Sequence, residues 1–311
     1  MNTGSDYYFD RTGSTLVVGS LTPTPNTSDN ACILGLARNL DNYPGLGGSV
    51  LNKEKVLYEV FPFEMKLADA DKVRTDLDSG ALKAFLIHVG EGKPSDAASA
   101  REFSMLAKRG DGFLRSGVSI IHGVALGKSE FRQMANANMG LIWSPQSNIE
   151  LYGSTTDVRS AKEAGLRIAI APDWSPSGSD GMIEELKYAA TWNASQVPPV
   201  FNDAELVRMA TVVPAQLAGA DTQIGSIVKE IYADLLLINK TGPDPYQALL
   251  HANAVEVRLV VIGGVPTYGD RELMEKLLPG RKIEPLTVCG ASKAIYIEPQ
   301  DGVPETQKSF K

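Results

Sequence analysis

From residue 56 onward the chain repeats one pattern. A short apolar run rich in β-branched or aromatic residues is followed by an amphipathic stretch that closes on glycine. The runs are VLYEVF (56–61), AFLIHV (84–89), VSIIHGV (118–124), GLIWS (140–144) and RIAIA (167–171). Each is too short for a stable helix and reads as a buried strand. The stretches SDAASAREFSMLAKRG, KSEFRQMANANMG and TTDVRSAKEAG read as helices ending at Gly110, Gly140 and Gly165, because glycine accepts the left-handed conformation that closes a helix. Strands alternating with helices imply parallel βα units. With Thr15–Gly19 as a sixth strand, the pattern suits a (β/α) barrel or an open doubly wound sheet. No G-x-G-x-x-G follows the first strand, so a dinucleotide fold has no support.

Past residue 220 the rhythm changes. After the helical stretches GMIEELKYAATWNA and DAELVRMATVVPAQLAG come ADLLLIN (233–239), VEVRLVVIGG (255–264) and KAIYIEP (293–299), which read as strands with no regular helix between them. DPYQALLHANA reads as one helix or a long loop. The expected division is a barrel-type domain over residues 1–221 and a β-rich, sandwich-like portion over 222–311.

The strand exits carry the chemistry. His88 and Glu91 follow one run, His122 closes the next, and Asp173 follows the last. The C-terminal ends of parallel strands gather on one face, so residues distant in sequence meet there. Imidazoles with carboxylates suit a divalent metal, zinc or iron. Taken singly, each of these residues is ordinary; together, each at a strand exit, they point to a site. Trp143 and Asn148 near the 140–144 exit, and Trp174 beside Asp173, are candidates to line a substrate pocket. Their bland alternatives are a packed Trp, a turn-forming Asn and a cover for the strand ends. The third histidine, His251, lies away from the strand exits and reads as exposed or structurally satisfied.

Composition narrows the partners. Thirty Lys+Arg against 37 Asp+Glu gives a net charge of −7, which argues against nucleic acid. Two cysteines do not make a disulfide framework. No apolar stretch approaches the ~18 residues of a membrane span. A cytoplasmic setting and a small-molecule substrate are the expectation.

The segments FLIHVGEG, VSIIHGVAL, GLIWSPQSNIELYG, LRIAIAPDWSPSGS, MIEELKYA, ELVRMAT, IGSI and ADLLLI make the chain resemble the metal-dependent amidohydrolase superfamily, on its cytosine deaminase, chlorohydrolase and imidazolonepropionase-like branch. WSPQSN followed by APDWSPSGS is the most specific part. The resemblance implies a TIM-type (β/α) barrel with a small β-sandwich, and hydrolysis of a non-peptide carbon–nitrogen bond by a metal-activated water. It implies that His88 is a metal ligand of the fifth strand and that Glu91 is the proton-shuttling acid. It implies that His122 binds metal or polarises the attacked group, and that Asp173 binds metal and takes a proton from the attacking water.

One departure matters. The family's signature opens on His-x-His, and this sequence contains none. By this count the recognisable strands run from the third to the eighth, and the expectation is a barrel short of its N-terminal part. No lysine lies in the 56–61 run, which points away from a two-metal site. The expectation that follows is weak metal binding by the chain alone. The alternative to an active hydrolase is a catalytically inactive fragment, or a half-enzyme completed by a separate His-x-His segment. Either a homo-oligomer or a complementing N-terminal chain would then cover the open strand edge.

Overall fold

The computed structural model describes residues 67–108, 112–174 and 176–296, with short strand segments at 16–17, 38–39 and 56–59. The described residues divide between two compact units. One lies within Glu54–Ser179 and Tyr188–Ser226, the other within Met1–Lys53, Asp180–Lys187 and Ile227–Lys311.

Two short strands come first, β1 (Leu16–Val17) and β2 (Arg38–Asn39), paired with each other in parallel. The first large unit is a parallel sheet of five strands: β3 (Val56–Glu59), β4 (Ala84–Val89), β5 (Val118–His122), β6 (Gly140–Trp143) and β7 (Arg167–Ile170). Their spatial order is their chain order, as in consecutive units of a barrel. All five expected runs are therefore strands. The sixth is not in this sheet: Leu16–Val17 pairs only with Arg38–Asn39 among the described residues, and the rest of Thr15–Gly19 lies outside them.

Helices cross between the strands. They are α1 (Leu67–Ser79), α2 (Ala97–Lys108), α3 (Lys128–Asn136), α4 (Pro145–Tyr152) and α5 (Val158–Glu163). Then come α6 (Met182–Ala194), α7 (Asp203–Met209) and α8 (Val212–Leu217). Asp96 caps α2: it accepts from the Ala98 N–H at 2.9 Å and from the Ser99 hydroxyl at 2.7 Å. Asp157 caps α5 in the same way through the Ser160 N–H. Gly165, with φ +84°, follows that helix as expected.

Gly140 does something else. Helix α3 ends four residues earlier, Asn138 takes the positive φ of +54°, and Gly140 opens strand β6. A Cβ there would meet Ser119 Oγ and, at 2.5 Å, Leu217 Cδ2. Glycine is needed at this position because two neighbours crowd the backbone.

The second unit holds an antiparallel sheet. Its strands are β8 (Leu235–Ile238), β9 (Val257–Ile262), β10 (Val265–Asp270), β11 (Glu284–Val288) and β12 (Ala291–Ile295), in the order β11-β12-β10-β9-β8. Helix α9 (Pro245–Leu250) occupies the DPYQALLHANA segment. Contrary to the sequence reading, a short helix, α10 (Arg271–Leu277), does lie between two of the strands. Gly263-Gly264, read as a strand end, is a two-residue hairpin turn with φ +59° and +90°, and Cys289-Gly290 forms the other, with φ +48° and +81°. Val257, Val260, Ile262, Tyr268 and Val288 form the core of this sheet. Among the described residues no helix is long and apolar enough to cross a membrane.

Candidate metal and catalytic site

The parallel register places His88 beside Ile121 and Val89 beside His122, so the two histidines leave neighbouring strands at the same level. Their rings stand 5.1 Å apart, centroid to centroid. Both are buried, His122 completely. The chain turns sharply at each exit: Gly90 has φ +70°, and His122 itself has φ +67°. A non-glycine residue in this region carries strain that the surroundings must hold in place.

Glu91 and Asp173 complete the cluster. His122 Nε2 lies 3.6 Å from Glu91 Oε1 and 3.9 Å from Asp173 Oδ2, and both carboxylates remain about one-fifth exposed. His88, Glu91 and His122 each offer a ligand atom, and all three atoms lie within 4.8 Å of one another. The structure thus brings together all four residues that the sequence placed at the strand exits.

The donor set fits a divalent cation. Buried His122 Nε2 has no hydrogen-bond partner among the described residues, yet it faces two carboxylates. A nitrogen lone pair against two anions is repulsive unless a proton or a cation stands between them. Ligand atoms around one tetrahedral zinc stand roughly 3.3–3.5 Å apart, from bonds of about 2.0–2.2 Å, and the 3.6 Å from His122 Nε2 to Glu91 Oε1 is close to that. The residues that would hold the ion are His88, His122 and one or both carboxylates.

Helix α4 supports the cluster from one face. Asn148 and Tyr152 are one turn apart on it. Asn148 Oδ1 lies 2.8 Å from His122 Nδ1, and the Tyr152 hydroxyl donates to Glu91 Oε1 at 2.9 Å. Burial pushes the Tyr152 phenol well above its ordinary range, and the hydrogen bond to Glu91 and its charge push further. The phenol therefore stays a donor throughout the working pH range. Behind Glu91, the Gly90 N–H donates to Glu102 Oε2 at 2.7 Å and pins the turn. Burial pushes the Glu102 carboxyl up, the Gly90 N–H draws it back, and the charge of Glu91 adds to the rise.

Two of the expected pocket residues are buried. Trp143 is fully buried and packs edge-on against Trp192 at 5.1 Å, with Phe201 at 6.1 Å. Its Nε1–H donates to Thr155 Oγ1 at 2.7 Å. Asn148 is also fully buried and turned towards His122. Neither presents an open surface. Trp174, by contrast, is 67% exposed beside Asp173. His251 is exposed and paired with Gln247 at 3.0 Å, as expected. Tyr152 and Glu102 were not foreseen. Tyr152 lies near the end of the segment GLIWSPQSNIELYG, whose family likeness is the sequence signal for it.

Residues 67–267 match the Amidohydrolase family. A 5-methylthioadenosine/S-adenosylhomocysteine deaminase from Pyrococcus furiosus is 32% identical over 136 residues, covering 42% of this chain and 32% of that protein. One from Thermococcus kodakarensis is 30% identical over 232 residues, covering 69% of this chain and 54% of that protein. The chain spans about a third to a half of the length of these curated relatives. Among solved structures, an adenosine deaminase from Xanthomonas campestris with bound zinc has a TM-score of 0.66 at 20% identity, covering 83% of this chain and 66% of that one. An atrazine chlorohydrolase from Arthrobacter aurescens complexed with zinc has a TM-score of 0.59 at 18% identity, covering 73% and 52%. At such identities the structural likeness is one of fold: a partial (β/α) barrel accompanied by a β portion.

Proposed function

The chain belongs to the amidohydrolase family, and from that premise we propose that it hydrolyses a carbon–nitrogen bond in a small planar molecule, releasing ammonia. The observation that carries this reading is the convergence of His122 Nε2, Glu91 and Asp173 at the ends of three strands. A divalent metal, zinc or iron, would be held by His88, His122 and Asp173. When bound, it makes a water molecule acidic enough to attack at neutral pH.

The protein's own groups do the rest. Asp173 takes the proton from the attacking water. Glu91 delivers a proton to the departing nitrogen, and general acid–base help of this kind contributes about 10²–10⁴-fold. Tyr152 holds Glu91 by Oε1, the oxygen that also faces His122 Nε2, and so fixes the carboxylate beside the cluster. Trp174 supplies an exposed aromatic face against which a planar ring can stack. Deamination of an adenine-type ring is the favoured reaction, because the curated relatives are deaminases of 5-methylthioadenosine and S-adenosylhomocysteine.

The test is ammonia release from adenosine, 5-methylthioadenosine, S-adenosylhomocysteine and cytosine by zinc-supplemented chain. The expected result is turnover of at least one compound, with Glu91→Gln lowering kcat/KM by about 10²–10⁴-fold while zinc uptake persists. No turnover of any of the four with zinc bound, or turnover unchanged in Glu91→Gln, would sink the reading.

A further inference from the structure

We propose that Asn148 is a positioning residue that fixes His122 in its Nδ1–H form, so that the Nε2 lone pair faces Glu91 and Asp173. The direction of every hydrogen bond in the network follows from two groups that have no choice. The carbonyl of His122 can only accept, so the Thr156 hydroxyl, 2.6 Å away, spends its one proton there. Thr156 Oγ1 can then meet Asn148 only as an acceptor, at 3.2 Å, which assigns the amide nitrogen of Asn148 to that side. On the same side, Trp143 Nε1–H can only donate, at 2.7 Å, so Thr155 Oγ1 accepts from it and from Asn148 Nδ2 at 3.3 Å. The amide oxygen of Asn148 is thereby turned to His122, and an oxygen 2.8 Å from Nδ1 requires a proton on Nδ1. In the neutral ring, Nε2 is left with its lone pair.

The assignment separates two roles. His122 is a lone-pair donor, to a metal or to a proton, and not an N–H donor to the oxygen or nitrogen of a substrate. A histidine side chain in water favours the opposite form, with the proton on Nε2, so the protein must impose this one. Asn148, Thr155, Thr156 and Trp143 are the parts that impose it. The tautomer rests on the hydrogen bonds alone; its value for metal binding rests on the hydrolase reading.

The chain has only three histidines, so histidine-labelled ¹⁵N spectra contain at most three imidazoles. Two-bond ¹H–¹⁵N spectra are recorded without metal, at a pH where the rings are neutral, with signals assigned through His88→Gln and His251→Gln. We expect His122 to give the Nδ1–H pattern in the parent chain. Asn148→Asp retains the accepting oxygen and should keep that pattern. Asn148→Leu should convert it to Nε2–H and weaken zinc binding about 10–100-fold, the usual cost of losing a group that orients a ligand. Should Asn148→Leu lose the parent's cooperative melt, Asn148→Ala is read in its place. An Nε2–H pattern in the parent chain, an unchanged pattern in a folded Asn148→Leu or Asn148→Ala, or unchanged zinc affinity would overturn the proposal. No readout is turnover, so a chain that releases no ammonia still decides it.

Discussion

The two sheets of this protein treat charge in opposite ways. In the parallel sheet, strands β4 to β6 are buried along their whole described length, and ionisable groups appear where the strands end. There, His122 Nε2 faces Glu91 and Asp173 with no hydrogen-bond partner among the described residues. In the antiparallel sheet, exposed positions alternate with half-buried ones along β8, and exposed and buried positions mix along β9 and β11. Its most buried charge, Lys293, is fully matched: Nζ reaches Asp270 Oδ1 at 2.6 Å, the Val257 carbonyl at 2.6 Å and the Val255 carbonyl at 3.0 Å. Parallel strands gather all their C-terminal ends on one side, so groups from several crossovers meet there. Antiparallel strands scatter their ends over both sides. The charge inside this sheet, on Lys293, is met by hydrogen bonds within it.

Four experiments can break or sharpen this contrast. Lys293→Ala removes the donor from two carbonyls and a carboxylate. It should destabilise the chain by about 3 kcal/mol, read by denaturant melting, with zinc affinity unchanged; an equal loss of zinc affinity would mean the two sheets are not separable in this way. Gly140→Ala, in the parallel sheet, forces a methyl against Ser119 and Leu217. Overpacking of this kind should cost about 2 kcal/mol, and a neutral melt would show that Leu217 yields. Tyr152→Phe removes the donor to Glu91 and leaves the ring. It should lower kcat/KM about 10-fold, equivalent to ~1.4 kcal/mol, with little change in melting; a larger loss of stability than of rate would make Tyr152 a packing residue.

The smallest effect concerns pH. Partial burial alone would raise the Asp270 carboxyl, but Lys293 and Arg258 outweigh it and hold the group below its ordinary value. Its folded form therefore contributes stability above the usual carboxylate range, and that contribution is lost as pH falls through the depressed value. Asp270→Asn should flatten this part of the acid limb of a melting-against-pH curve. An unchanged acid limb would assign it to other carboxylates.

The parallel strands were legible because a strand covered on both faces is a continuous apolar run, and AFLIHV and VSIIH are such runs. His88, His122 and Asp173 were legible for the same reason, since the end of a readable run is itself readable. Strands β10 and β11 were not. VPTYGD and EPLTV carry proline, glycine and acids inside the strand, and only pairing with neighbours makes them strands. Helix α4 reads locally as a turn because Ser-Pro-Gln-Ser-Asn is turn chemistry, yet Pro145 stands at its first turn, where proline suits a helix. The contacts of Glu102 and Tyr152 with the site span 12 and 61 residues. No local pattern specifies such pairs; packing creates them.

Asn148 and Tyr152 leave helix α4 on the same ridge, and each holds a different member of the cluster. Their alignments are therefore not independent. A slight roll or slide of this one helix misaims the base-like nitrogen and the proton-carrying acid together, so faults in the two arrive as a correlated pair. A change made beneath the helix, touching neither, would register as simultaneous damage to both. A change that seats the helix more firmly would correct both at once.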